Sequence, residues 1–341
     1  MLNDPSWFLD RIDPERGVGV FTQTSRAALS GAIFLDTRWD RRGAPRRAVP
    51  LAELKSFHKA ARPPAILWHS AFCCSTLLAS CLDVAGASLV LKEPMALADL
   101  EAARRRDADG ADDELATAVV RLLGRGFSAA ERVVIKPGNS ANTLAPAAAM
   151  AGGPMLFLYS SCRDFILSVA GGGSPESGGE SRRRFARDLL AERVLVGRPG
   201  VRWRPKDLFA MTDLQVAAVL WHVQVAEFRA LARALGPGRA RSLNCDAFLA
   251  DPRRGLEHLD RFYDLGLGAG RIQDIATGPR LSRHASQPDR PFDAEARRRG
   301  FARLEAEMGS TVVDLVAWSY RMCPETPRGD PVGASLMTAD A

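Results

Sequence analysis

Short apolar runs with sharp boundaries recur along the middle of the chain, at residues 65–68, 88–91, 132–135, 155–159 and 241–244. Each is too short for a helix and suits a strand buried on both faces. Between them, apolar residues fall at helical spacing over about 75–85, 112–125, 142–150, 181–195 and 212–235, with a further helical stretch at 51–60. Alternation of this kind predicts a mostly parallel sheet flanked by helices, because parallel strands need crossover connections.

The alternation runs from Ile66 to Phe262 without a clear linker, which predicts a single domain over 1–325. Its core lies at about 64–267 and a helical part follows at 268–323. Residues 326–341, where Pro, Gly and Asp replace core residues, are expected to be a disordered tail. Residues 1–50 are mixed, with a short strand expected at 32–35 and an Arg- and Pro-rich loop at 41–50. The 212–235 segment carries Leu214, Val219, Trp221, Val225, Phe228 and Leu231, enough to make it a central packing helix, with His222 as a packed or surface residue. The low-complexity stretch 171–184 reads as a surface loop or a lid over a site.

Charge narrows the choice of partner. A net charge of +6 favours an anion, but the basic residues are 41 Arg and 5 Lys, and the clusters 104–106, 182–184 and 297–299 are scattered and lack interleaved aromatics. They read as solvated faces, with no nucleic-acid stripe, and a small phosphorylated ligand satisfies the charge. Six cysteines without a CxxC pair and five histidines without ligand spacing lead us to expect no metal and a cytoplasmic location. The first residues carry charges where a signal peptide needs an apolar run. The most apolar stretch, 143–162, is broken by Pro146, Gly152, Gly153 and Pro154, so no membrane span is expected.

The most informative segment is AILWHSAFCCSTLLASCLD, residues 65–83. A strand runs directly into small residues, and a helix opens at Ser75 and Thr76, an arrangement whose backbone amides can hold a phosphate. As a Walker A loop it fails at His69, Cys74 and Ser75 and matches only at Thr76, which disfavours an ATPase or kinase. Cys73 and Cys74 at a helix start also admit a reactive-thiol reading.

The segment resembles the phosphate loop of sulfotransferases. Cys73 and Cys74 stand at the Ser-Gly positions, Ser75 and Thr76 at the hydroxyl pair, and Phe72 replaces the usual basic residue. A second likeness lies in residues 240–267, where Cys245-Asp246, Phe248-Leu249, Asp251-Pro252 and 262–266 follow the family's strand, acidic pair, turn and helix. The resemblance implies a three-layer P-loop NTPase-like α/β fold. It also implies a sulfuryl transfer from 3′-phosphoadenosine 5′-phosphosulfate to a small-molecule hydroxyl or amine. By the same likeness, Ser70, Ala71, Phe72, Cys73, Cys74, Ser75 and Thr76 hold the 5′-phosphosulfate, and Arg163 and Ser168 the 3′-phosphate. Glu93 is then the base, with Lys92 or Lys136 supplying the charge missing at Phe72. A non-catalytic relative that binds a nucleotide or a protein is the rival reading.

Overall fold

A computed structural model describes residues 1–58, 62–106, 112–171, 179–195, 202–283 and 291–337. The first three strands, β1 (Trp7–Asp13), β2 (Val18–Gln23) and β3 (Arg46–Pro50), make an antiparallel sheet that the apolar pattern did not announce. The five apolar runs become β4 (Ala65–His69), β5 (Ser88–Lys92), β6 (Arg132–Lys136), β7 (Met155–Tyr159) and β8 (Ala240–Asn244). They form one all-parallel sheet in the order β5-β6-β4-β7-β8, flanked by helices. Every residue of β4, β5, β6 and β7 is buried, which is why these strands read as continuous apolar runs rather than as alternating ones. Among the described residues no helix is long and apolar enough to cross a membrane.

Backbone contacts divide the chain into two compact units. One comprises Met1–His69, Ser75–Leu156 and Pro252–Asp289, and the other Ser70–Cys74, Phe157–Asp251 and Arg290–Ala341.

In the first unit, polar side chains pin the antiparallel sheet. The β1–β2 register shifts between Leu9 and Arg11, and the intervening Asp10 is fully buried. Its carboxylate accepts both prongs of Arg41 at 2.6 Å and the Thr22 hydroxyl at 3.0 Å, so a bulge becomes the anchor of the Arg-rich loop. Arg125 donates to the carbonyls of Leu2, Asp4, Trp7 and Leu122, tying the N-terminus to the end of the Asp113–Leu123 helix. Burial lowers its pKa to about 10, still far above neutral pH. Gly153, just before β7, must be glycine: a Cβ there would stand 1.8 Å from the Pro64 carbonyl oxygen. Residues 32–35 form no strand. Instead Leu35 donates to the Lys92 carbonyl at 2.7 Å and accepts from Met95 at 3.1 Å, so this segment borders the end of β5. The helix expected over 51–60 stops at Lys55, and residues 59–61 lie outside the described residues.

The second unit is organised by the Asp213–Leu235 helix, which opens with a reciprocal Thr212–Gln215 capping box. Phe228 stacks on Phe157 of β7 at 4.8 Å, and the Trp221 indole donates to the Ser160 carbonyl at 2.8 Å. His222 on the same helix is buried between Ser319 and Thr326, each 3.0 Å from one ring nitrogen. The Ser319 hydroxyl proton goes to the Val316 carbonyl at 2.8 Å, so His222 Nε2–H donates to Ser319 and Nδ1 accepts from Thr326. Residues 326–337 are not the loose tail expected from composition. Ser335 bridges Ser242 in parallel, Leu336 donates to the Ser242 carbonyl at 2.7 Å, and Arg241 donates to the Ser335 carbonyl at 2.6 Å. Buried Val332 and Leu336 supply the apolar contacts that the composition obscured. Residues 338–341 lie outside the described residues.

Burial lowers the His222 pKa from the ordinary 6.5 to about 4. The neutral ring therefore contributes stability that is complete above about pH 6.5 and is lost as the pH falls toward 4, on the order of 3 kcal/mol. Urea unfolding at pH 7.5 and pH 4.5 should show this acid loss in the wild type and a smaller one in His222→Gln. An equal acid loss in both proteins would remove His222 as its source.

Candidate functional site

The site begins where β4 ends. The His69 carbonyl accepts from the side-chain amides of both Asn139 (2.6 Å) and Asn142 (2.9 Å), and its Nε2–H donates to the Pro137 carbonyl at 3.0 Å. Burial, with Lys136 nearby, holds the His69 pKa well below its ordinary value, so the ring is a neutral positioning group. The chain then turns through Ser70–Cys74 and opens the Ser75–Leu82 helix, with Ser75 and Thr76 in its first turn.

Within the second unit, Ser70 is fully buried; its N–H donates to the Leu158 carbonyl at 3.0 Å and its own carbonyl accepts from the Gln224 amide at 3.2 Å. Ala71, Phe72 and Cys74 then take φ values of 65°, 51° and 56°. Left-handed backbone costs a non-glycine residue roughly 1–2 kcal/mol, so three such residues in one turn persist only where the surroundings impose them. The signs of φ alternate across Phe72, Cys73 and Cys74, a kind of backbone that can form anion-receiving concavities in proteins. Phe72 is held by Phe165 and Phe185, with ring centroids at 5.6 and 6.0 Å, and the Arg182 guanidinium lies 5.7 Å from its centroid. Arg182 also donates to the Ser168 carbonyl at 2.8 Å.

Beside this turn stands a buried charge cluster. Arg297, with a tenth of its side chain exposed, donates to Asp246 at 2.9 Å and lies 4.0 Å from Asp164. Burial works against its charge, but the facing Cys74, Cys245, Asp246 and Asp164 outweigh it and raise its pKa. Its Nη2 is buried and has no acceptor among the described residues. A charged donor left unsatisfied is costly, and an anion is the ligand that would satisfy it. Asp164 has a raised pKa, from burial first and then from Asp246, offset by Arg297 and Arg163. A cavity of about 250 Å³ opens here, lined by Arg163, Asp164, Asp246, Arg297, Arg298 and Phe301.

Arg163 faces this cavity, but Ser168 does not join it. Both lie on the Cys162–Ala170 helix, and five residues at about 100° each set them roughly 140° apart, with Ser168 buried. The thiol reading also loses its chemistry. Burial raises the pKa of Cys74 and holds that of Cys245 well above the ordinary value, while the buried Cys73 thiol points to the Leu158 carbonyl at 3.6 Å. None of the six cysteines is in a disulfide with another described residue.

In the first unit, Glu93 and Lys136 come together and Lys92 does not. Lys136, almost wholly buried, donates to Glu93 at 2.7 Å, while Glu93 keeps a quarter of its side chain exposed and has φ of 56°. Arg38 stacks on Phe34 at 4.0 Å and reaches within 3.9 Å of the second Glu93 oxygen. Lys92, adjacent to Glu93 at the end of β5, donates instead to the Ser30 carbonyl at 3.0 Å, and burial lowers its pKa against the pull of Asp83.

In sequence, residues 297–299 read as a solvated face, and Arg297 is not distinguished from its neighbours. Arg298 and Arg299 are indeed exposed, yet Arg297 shares a helical stripe with Phe301, Leu304 and Met308, and that spacing was the available signal. Of the 171–184 stretch, residues 172–178 lie outside the described residues, and Gly179 already opens a helix. Among the described residues no three His, Cys, Asp or Glu side chains gather as a metal set. The chain matches no protein-family model and no curated protein.

Ala71→Gly tests the strained turn. An ordinary Ala→Gly change loses about 0.5–1 kcal/mol, but relief of a left-handed alanine should cancel or reverse that loss. Urea midpoints equal to or above the wild type are expected; an ordinary loss would mean that the turn is not strained.

Proposed function

We propose that the chain is a sulfotransferase-like enzyme of P-loop NTPase-like architecture that binds 3′-phosphoadenosine 5′-phosphosulfate. The observation that carries this reading is the buried Arg297 guanidinium, with a donor lacking an acceptor among the described residues, beside a turn of left-handed residues. Arg163 and Arg298 on the same cavity favour a ligand with more than one negative group. The placement of an anion-binding turn after a strand of an all-parallel sheet, where the carboxyl ends of strands form crevices, is a further support.

In this reading Glu93 takes the proton of an acceptor hydroxyl or amine as the acceptor attacks sulfur. The bond from sulfur to the bridging phosphate oxygen breaks, and adenosine 3′,5′-bisphosphate leaves with that electron pair. Lys136 and Arg38 orient the Glu93 carboxylate. Transfer of this kind rests on positioning and electrostatics. Lys92, committed to Ser30, has no place in this scheme.

A second reading, a non-catalytic nucleotide binder, is favoured by one feature. Phe72 puts an aromatic ring, held by Phe165 and Phe185, where a transferase needs a cation.

Adenosine 3′,5′-bisphosphate should raise the melting temperature more than AMP or ATP does, and should do so in excess EDTA. At about a hundred times its dissociation constant it adds roughly 2.7 kcal/mol. Arg297→Ala should abolish the shift, and a wild-type protein indifferent to millimolar ligand would end the nucleotide reading.

Glu93→Gln separates catalyst from binder. Nucleotide binding should persist while release of sulfate from the donor, to acceptor or water, falls about a hundredfold or more. An unchanged rate would leave Glu93 without the role of base and favour the binder.

A further inference from the structure

We propose that Glu305 is an internal competitor for the anion: in the free protein its carboxylate fills the face of Arg163 that a phosphate would occupy. The inference rests on the reading of the cavity as a nucleotide site, and it adds a device that holds the site self-occupied.

The geometry is specific. Arg163 Nε donates to one Glu305 oxygen at 2.9 Å and Nη2 to the other, the two-pronged contact that a phosphate also makes, while Nη1 donates to Asp164 at 2.6 Å. The guanidinium therefore has both edges engaged by carboxylates, and an incoming anion must replace one. Asp164 is the harder to move, since it is mostly buried and also faces Arg297. Glu305 is the easier, because about a quarter of its side chain is open to solvent and its pKa is lowered mainly by this one bond to Arg163. Arg163 itself is two-fifths exposed, so the exchange takes place at the accessible edge of the cavity.

Releasing Glu305 does not release its helix. Phe301, one turn earlier on the Ala294–Met308 helix, is buried against Leu167 and Val312, with Leu304 and Met308 packed around them. The side chain can swing outward while the helix stays seated. A part-exposed ion pair contributes little to folding, so removal of the carboxylate should act on binding rather than on stability.

The test is calorimetric titration of adenosine 3′,5′-bisphosphate into the full chain at fixed pH and salt. Glu305→Gln should tighten binding roughly three- to tenfold, the scale of one part-exposed charge-assisted contact. Arg163→Ala should weaken binding, and adding Glu305→Gln to Arg163→Ala should bring no gain, because the competitor acts only through Arg163. Glu305→Asp, whose shorter chain cannot reach both prongs, should fall between wild type and Glu305→Gln, and it serves as the test should the Gln variant melt well below the wild type. Equal binding by wild type and Glu305→Gln, or a gain that survives in the Arg163→Ala background, overturns the competitor while leaving the nucleotide site standing. Binding by none of these proteins overturns the nucleotide reading and the competitor together.

Discussion

The proposed anion site depends on how the backbone leaves β4. Two asparagine amides converge on the His69 carbonyl, fixing the strand end, and the next residues enter left-handed conformations that alanine, phenylalanine and cysteine ordinarily avoid. Glycine would take this path without strain. The chain uses side chains there instead, which bury Cys73 and seat Phe72 against Phe165 and Phe185. Packing thus holds a conformation that local preference opposes.

Charge around this turn is arranged in alternation rather than in a patch. Glu305, Arg163, Asp164, Arg297 and Asp246 follow one another through ion pairs, so the buried guanidiniums are largely compensated before any ligand arrives. The exception is one nitrogen of Arg297. A buried cation that lost its carboxylates would be costly, and one fully satisfied would have nothing to offer an anion. This cluster lies between those limits. The Glu93–Lys136 pair follows the same logic on its own unit, where a nearly inaccessible ammonium faces a carboxylate that remains open to solvent.

The arginine excess also has a structural use. Arg125 gathers carbonyls of the N-terminus, Arg41 forks onto the buried Asp10, Arg280 donates to the Ser80 and Asp83 carbonyls, and Arg26 bridges Glu131 and the Ser88 carbonyl. A planar guanidinium can serve several acceptors in fixed directions, which an ammonium does less well. Composition alone made these residues look like a solvated coat, and many of them are internal fasteners.

By itself the sequence determined most of the parallel sheet, because β4, β5, β6 and β7 are buried on both faces and burial of that kind writes a largely apolar run, while β8 is partly buried and mixed in sequence. It also marked the turn after β4, since small and hydroxyl residues between a strand and a helix leave a local signature. The β1–β3 sheet stayed hidden because its strands are mixed, and β3 exposes four of its five residues. Tertiary structure alone decided which charges meet. Lys92 and Glu93 are adjacent in sequence yet take different partners, because Lys92 ends β5 and the backbone turns out of the strand at Glu93, where φ is 56°. Arg163 and Ser168 share a helix but not a face. Arg297, more than two hundred residues along the chain from Cys74, reaches the turn only through the packing of its helix, and nothing local in the sequence encodes a meeting over that distance.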